Sequence, residues 1–77
     1  METNFSLKLN SNSINFAHSL VKLTTTHGID AIITKDKYVI DARSILGVLS
    51  LAGLKGSVIR WNEQNNDFVE DLMDLIG

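Results

Sequence analysis

The sequence predicts an α+β fold, an open-faced β-sandwich of order β-α-β-β-α-β-α in which a four-stranded antiparallel sheet carries its helices on one face. Three observations point there. Apolar residues alternate between a period of two and a period near 3.6 along the chain, so strands and helices interleave. The segments between them are short, which favours hairpins and brief crossovers. At 77 residues the chain hides only about 60% of the surface its unfolded form exposes, enough for one two-layer core and no second lobe. Residues 1–77 are therefore expected to form a single domain, and Rossmann, barrel and two-domain enzyme architectures are excluded.

Phe5, Leu7 and Leu9 alternate with Ser6 and Lys8, which makes residues 4–9 a first strand with one buried face. Asn10-Ser11-Asn12-Ser13 is turn chemistry. After it Phe16, Leu20 and Leu23 recur at helical spacing beside Ala17, Val21 and Thr24, and Gly28 supplies the stop. Three β-branched threonines at 24–26 lower helix propensity and predict a frayed last turn. The runs 29–34 and 38–41 read as two strands of a hairpin joined by Lys35-Asp36-Lys37. Ser44 is a natural N-cap for a helix carrying Ile45, Val48 and Leu49, too short to serve the core. Residues 57–61 form a fourth strand and 62–66 the loop that leaves it. Asp67 followed by Glu70 has the pattern of a capping box before a last helix with the stripe Phe68, Leu72, Leu75 and Ile76.

Seven cations against nine anions give a formal charge of −2 and a pI near 5.5, which leaves no electrostatic footprint for nucleic acid or an anionic membrane. The charge is uneven: residues 1–60 balance to +3 and residues 61–77 to −5, the latter reading as a solvated acidic helix. With no cysteine, disulfides and thiolate chemistry are excluded. His18 and His27 lack the carboxylate pattern of a metal site, so neither metal nor cofactor is expected. Gly47, Gly53 and Gly56 match neither a P-loop nor a dinucleotide fingerprint and read as turn and close-approach positions. Tyr38 and Trp61 read as packing aromatics. Neither an export signal nor a run of about 18 apolar residues is evident, so a cytoplasmic location is expected.

One segment carries a resemblance. Ala42-Arg43-Ser44-Ile45-Leu46-Gly47-Val48-Leu49-Ser50-Leu51, followed by Gly53, Lys55 and Gly56, resembles the regulatory-serine segment of HPr, the histidine-containing phosphocarrier of the bacterial sugar phosphotransferase system. The family pattern there is K/R-S-I-M-G-V-M-S-L, and the predicted element order extends the similarity over essentially the whole chain. The resemblance implies an HPr-like fold and a protein that is not itself an enzyme. It also implies partners among the proteins of the sugar phosphotransferase system or a transcription regulator, and a serine kinase.

The family's second motif, G-L-H-A-R-P-A with its phospho-accepting histidine, is where this sequence departs. Asn12 matches the asparagine often found before the motif, Ser13 replaces its glycine and Ile14 keeps its apolar residue. Asn15 then occupies the histidine position, Phe16 follows, Ala17 stands where the arginine belongs and His18 where the proline belongs. A carboxamide has no nucleophilic nitrogen comparable to neutral imidazole, so Asn15 forms no phosphoramidate. Ala17 also removes the guanidinium that would neutralise a phosphoryl group. His18 is the substitute acceptor to weigh, although it lies one helical turn beyond the free N–H groups of the helix start.

By the same resemblance Ser44 is the candidate phospho-acceptor, with Arg43 an adjacent cation; the plain alternative is a serine that only caps its helix. Ile45, Leu46 and Leu49, with Arg43, are the candidate partner-binding residues. The expected function is a docking or regulatory module that does not carry a phosphoryl group. Two alternatives stand beside it: a working phosphocarrier that uses His18, and an interaction domain without phosphorylation.

Overall fold

In a computed structural model that describes residues 5–51 and 53–76, the period-two start of the chain becomes β1 (Phe5–Lys8). Position 4 of the expected strand lies outside the described residues. Leu9 follows the strand and is buried, its N–H donating to the Ser57 carbonyl at 2.9 Å. The long amphipathic segment is α1 (Ile14–His27), capped by Ser13, whose hydroxyl accepts the Phe16 N–H at 3.4 Å. Its far end stops on Gly28 with φ 63°, a left-handed conformation that costs glycine no Cβ clash.

The frayed last turn does not occur. Thr24 is buried and its hydroxyl donates to two carbonyls, Val21 at 3.0 Å and Ala42 at 2.9 Å; Thr25 likewise donates to Val21 at 2.7 Å. Tertiary hydrogen bonding overrides the low propensity of the threonines. Strands β2 (Ala31–Lys35) and β3 (Tyr38–Asp41) pair with Lys35 opposite Tyr38, so the hairpin loop is two residues long rather than three. Asp36 supplies the positive φ, 52°, that a tight turn of this kind requires.

The next helix is α2 (Ile45–Ser50), and the expectation that it is too short for the core needs correction, because Val48 is fully buried and Leu51, its C-cap, nearly so. Strand β4 (Val58–Trp61) then enters the sheet, and α3 (Asn66–Ile76) closes the chain. The cap of α3 is Asn65, whose side-chain oxygen accepts the Phe68 N–H at 3.0 Å; Asp67 and Glu70 are exposed residues of the first turns and not a capping box. An asparagine competes as well as an aspartate for this position.

The sheet is antiparallel throughout, in the order β1-β4-β2-β3, which is the predicted four-stranded sandwich. Leu20 and Thr24 from α1, Ile29 and Ile33 around β2, Ile59 from β4, and Phe68 and Leu72 from α3 fill the layer between helices and sheet. Each large apolar side chain there contributes about 1.5–3 kcal/mol by leaving water. Trp61 belongs to the same layer, stacked on Phe5 with ring centroids 5.8 Å apart and meeting Phe68 edge-on at 5.2 Å. His27 joins α1 to α3 through a 2.9 Å contact from Nε2 to Asp71 and an edge contact with Phe68.

Candidate functional site

The two sequence segments that carry chemical interest, 12–18 and 42–51, converge. The start of α1 and the body of α2 border one depression of about 310 Å³, lined by Asn12, Ser13 and Ala17 on one side and by Val48, Leu49 and Gly53 on the other. Gly53 explains how the sides meet. Its backbone has φ 139°, and a Cβ there would stand 2.6 Å from the Asn12 side-chain oxygen. That same oxygen accepts the Lys55 N–H at 2.7 Å, and the Lys35 ammonium donates to the Gly53 carbonyl at 2.7 Å. Asn12 therefore ties the loop after α2 to the start of α1.

Asn15 is the second residue of α1 and is exposed. The amides of Ile14 and Asn15 lie ahead of the first intrahelical acceptor, so the helix start still presents N–H donors and the positive end of its dipole. The chemical group at that spot is a carboxamide, which offers a donor and an acceptor and no titratable nitrogen. Ala17 is only 4% exposed, its methyl facing the depression. No cation stands at this position.

His18 is exposed on the fifth residue of α1, one turn past those donors, and its imidazole makes no hydrogen bond among the described residues. The structure thus separates it from the helix start that Asn15 occupies. His27 belongs to the opposite end of α1 and to the packing of α3.

Ser44 stands at the start of α2 in an extended conformation, φ −101° and ψ 107°, and its hydroxyl accepts the Gly47 N–H at 3.2 Å. It is exposed. Gly47 lets this turn lie close to the sheet, since a Cβ on it would meet Ile40 Cγ2 at 2.9 Å. The Arg43 side chain contacts two carboxylates and not Ser44. Its guanidinium lies 3.4 Å from Asp30 and 3.7 Å from Asp41, while its N–H donates to Asp41 at 2.9 Å. Exposed pairs of this kind contribute about 0–1 kcal/mol, weak enough for an incoming anion to compete for the arginine.

Of the candidate partner-binding residues, Leu46 is 80% exposed and Leu49 41%, one turn apart on the same side of α2, whereas Ile45 is half-buried. Ile14, 66% exposed, borders the depression together with Leu49 and extends the apolar surface onto α1. Its place outside the 16, 20, 23 spacing of the helix was the signal that it faces solvent. Among the described residues no group of three His, Asp or Glu side chains is placed to hold a metal ion, and no helix is long and apolar enough to cross a membrane.

Solved structures similar over nearly the whole chain include two HPr proteins. HPr-C-His from Thermoanaerobacter tengcongensis superposes with a TM-score of 0.65 at 24% identity, covering 99% of this chain and 90% of that one. Phosphocarrier protein HPr from Bacillus anthracis str. Ames superposes with a TM-score of 0.64 at 27% identity, covering 97% and 93%. No family model and no curated protein matches the sequence. The fold is HPr-like.

Proposed function

We propose that this chain is a non-carrier relative of HPr in the sugar phosphotransferase system, a cytoplasmic docking and regulatory protein. It meets its partners, proteins of that system or a transcription regulator, through Ile14, Leu46 and Leu49. Its state is set by phosphorylation of Ser44. The observation that carries this reading is Asn15, exposed at the donor-rich start of α1, where the HPr motif has its phospho-accepting histidine. The likeness of the whole fold to the Bacillus anthracis phosphocarrier supports reading the chain against the HPr pattern.

The chemistry separates the two helix starts. At α1 the donors that would hold a phosphoryl group are present, but an amide nitrogen whose lone pair is delocalised into its carbonyl is not a nucleophile toward phosphorus. At α2 the Ser44 hydroxyl is solvent-accessible. A kinase base takes its proton, Oγ bonds to the γ-phosphorus of ATP, and ADP leaves. The resulting dianion lies beside the Gly47 N–H and within one residue of Arg43, which exchanges its loose contacts with Asp30 and Asp41 for the phosphate.

The test is to incubate the protein with phosphoenolpyruvate and Enzyme I, and separately with ATP and the serine kinase of the HPr system, then read intact mass and map the site. One phosphate on Ser44 from ATP, stable in mild acid, and none from phosphoenolpyruvate is the expected result. An acid-labile label on His18 would replace this reading with that of a working carrier. Unchanged mass under both donors would leave an interaction domain without phosphorylation.

A further inference from the structure

Strand β3 is an outer strand of the sheet, and the phase of its hydrogen bonds decides what it offers to a partner. The Ala42 N–H donates to the Ala31 carbonyl at 3.0 Å, which continues the β2–β3 ladder by one step. Opposed residues in an antiparallel pair alternate between exchanging both bonds and exchanging none. Tyr38, Ile40 and Ala42 therefore aim their backbone groups at β2, and Val39 and Asp41 aim theirs outward. The Asp41 carbonyl accepts the Ser44 N–H at 3.1 Å, so the open groups are the N–H and carbonyl of Val39 and the N–H of Asp41. The Val39 side chain is 65% exposed, flanked at two-residue spacing by Lys37 and Asp41.

We propose that this edge is a self-association surface, on which β3 of a second copy pairs antiparallel about a two-fold axis with Val39 opposite Val39. Only this register brings the outward groups of both strands into bonding phase and also sets Lys37 of each copy across from Asp41 of the other. A slip of one residue points the groups of one strand away, and a slip of two sets Val39 against a charge. The edge reads cation, apolar, anion along the chain, which makes it complementary to its own reversal, the condition for a two-fold interface. Asp41 holds Arg43 through Oδ1 and keeps its second oxygen for Lys37. The result is one eight-stranded sheet in which neither β3 remains an edge.

Two four-residue strands bury less than the roughly 1,200 Å² of a stable interface, so the dimer is weak, with half-association expected near about 1 mM protein. Sedimentation equilibrium and amide shifts over a dilution series measure it, with the Val39 and Asp41 N–H resonances expected to move most. Val39→Pro removes one outward donor while leaving every bond to β2, and it should give a folded monomer. Lys37→Glu and Asp41→Lys should each be monomeric alone, the first presenting two acids along its edge and the second two cations, and should associate when mixed. If Asp41→Lys disturbs the turn to Ser44, Lys37→Glu and Val39→Pro decide the matter. A parent protein that stays monomeric throughout the series, or a dimer that survives Val39→Pro, would overturn the proposal.

Discussion

Two helix starts in this molecule are built alike and differ in what they can do. Ser13 and Ser44 are both extended N-cap residues, and each hydroxyl accepts an amide three residues on, Phe16 at 3.4 Å and Gly47 at 3.2 Å. Yet the first is followed by Asn15, Phe16 and Ala17 and presents donors with no nucleophile, whereas the second places its cap hydroxyl beside an arginine on an exposed turn. Backbone geometry at a helix start prepares a place for an anion; accepting a phosphoryl group there takes a nucleophilic side chain and a cation beside it.

The largest contrast is chemical. Asn15→His alone should take up only a trace of label from phosphoenolpyruvate and Enzyme I, because the phosphoryl charge would still lack its arginine. Asn15→His with Ala17→Arg should label far more strongly, the guanidinium being directed into the depression that Ala17 lines. Strong rescue by the single change would show that the helix donors suffice.

Gly53→Ala breaks the tie between the two starts. It forces a Cβ against Asn12 at a φ of 139°, and urea denaturation should record a loss of about 1–3 kcal/mol. Ser13→Ala and Ser44→Ala should each cost about 1 kcal/mol in the same assay, since the capping bonds are equivalent. Only Ser44→Ala should abolish labelling by ATP and the kinase; a serine label that persists in it would move the site elsewhere. Smallest of all in stability is Leu46→Ser, within about 0.5 kcal/mol because the side chain is already in water. Its effect should be confined to partner binding, measured by titration calorimetry against Enzyme I.

Much of this was readable in the residues. The alternation of Phe5, Leu7 and Leu9 and the spacing of Phe16, Leu20 and Leu23 report a buried face directly, and Gly28 and Ser44 mark helix ends by local conformational chemistry. Where the reading of the last turn of α1 failed, a longer-range contact had decided the outcome. Thr24 stays helical because the Ala42 carbonyl, eighteen positions away, needs its hydroxyl. Two other misses are local: Asp36 accepts a positive φ and so tightens the turn at Asp36-Lys37, and Asn65 rather than Asp67 caps α3 by accepting the Phe68 N–H. For the candidate site, Asn15 and Ser44 were legible as residue types. The outward position of Ile14 was legible in the helix spacing, whereas the role of Asn12 as a tether and the way Ala17 meets the depression depend on how α1 and α2 meet, which no local pattern encodes.

Trp61 is the sole indole in the chain, 5% exposed between Phe5 and Phe68, with its N–H buried and unpartnered among the described residues. An indole in so apolar a slot emits at short wavelength and shifts to the red when water reaches it. It does not line the depression between α1 and α2. Its fluorescence therefore provides a built-in optical gauge of the folded core, one that a partner arriving at Leu46 leaves unchanged and that needs no added dye.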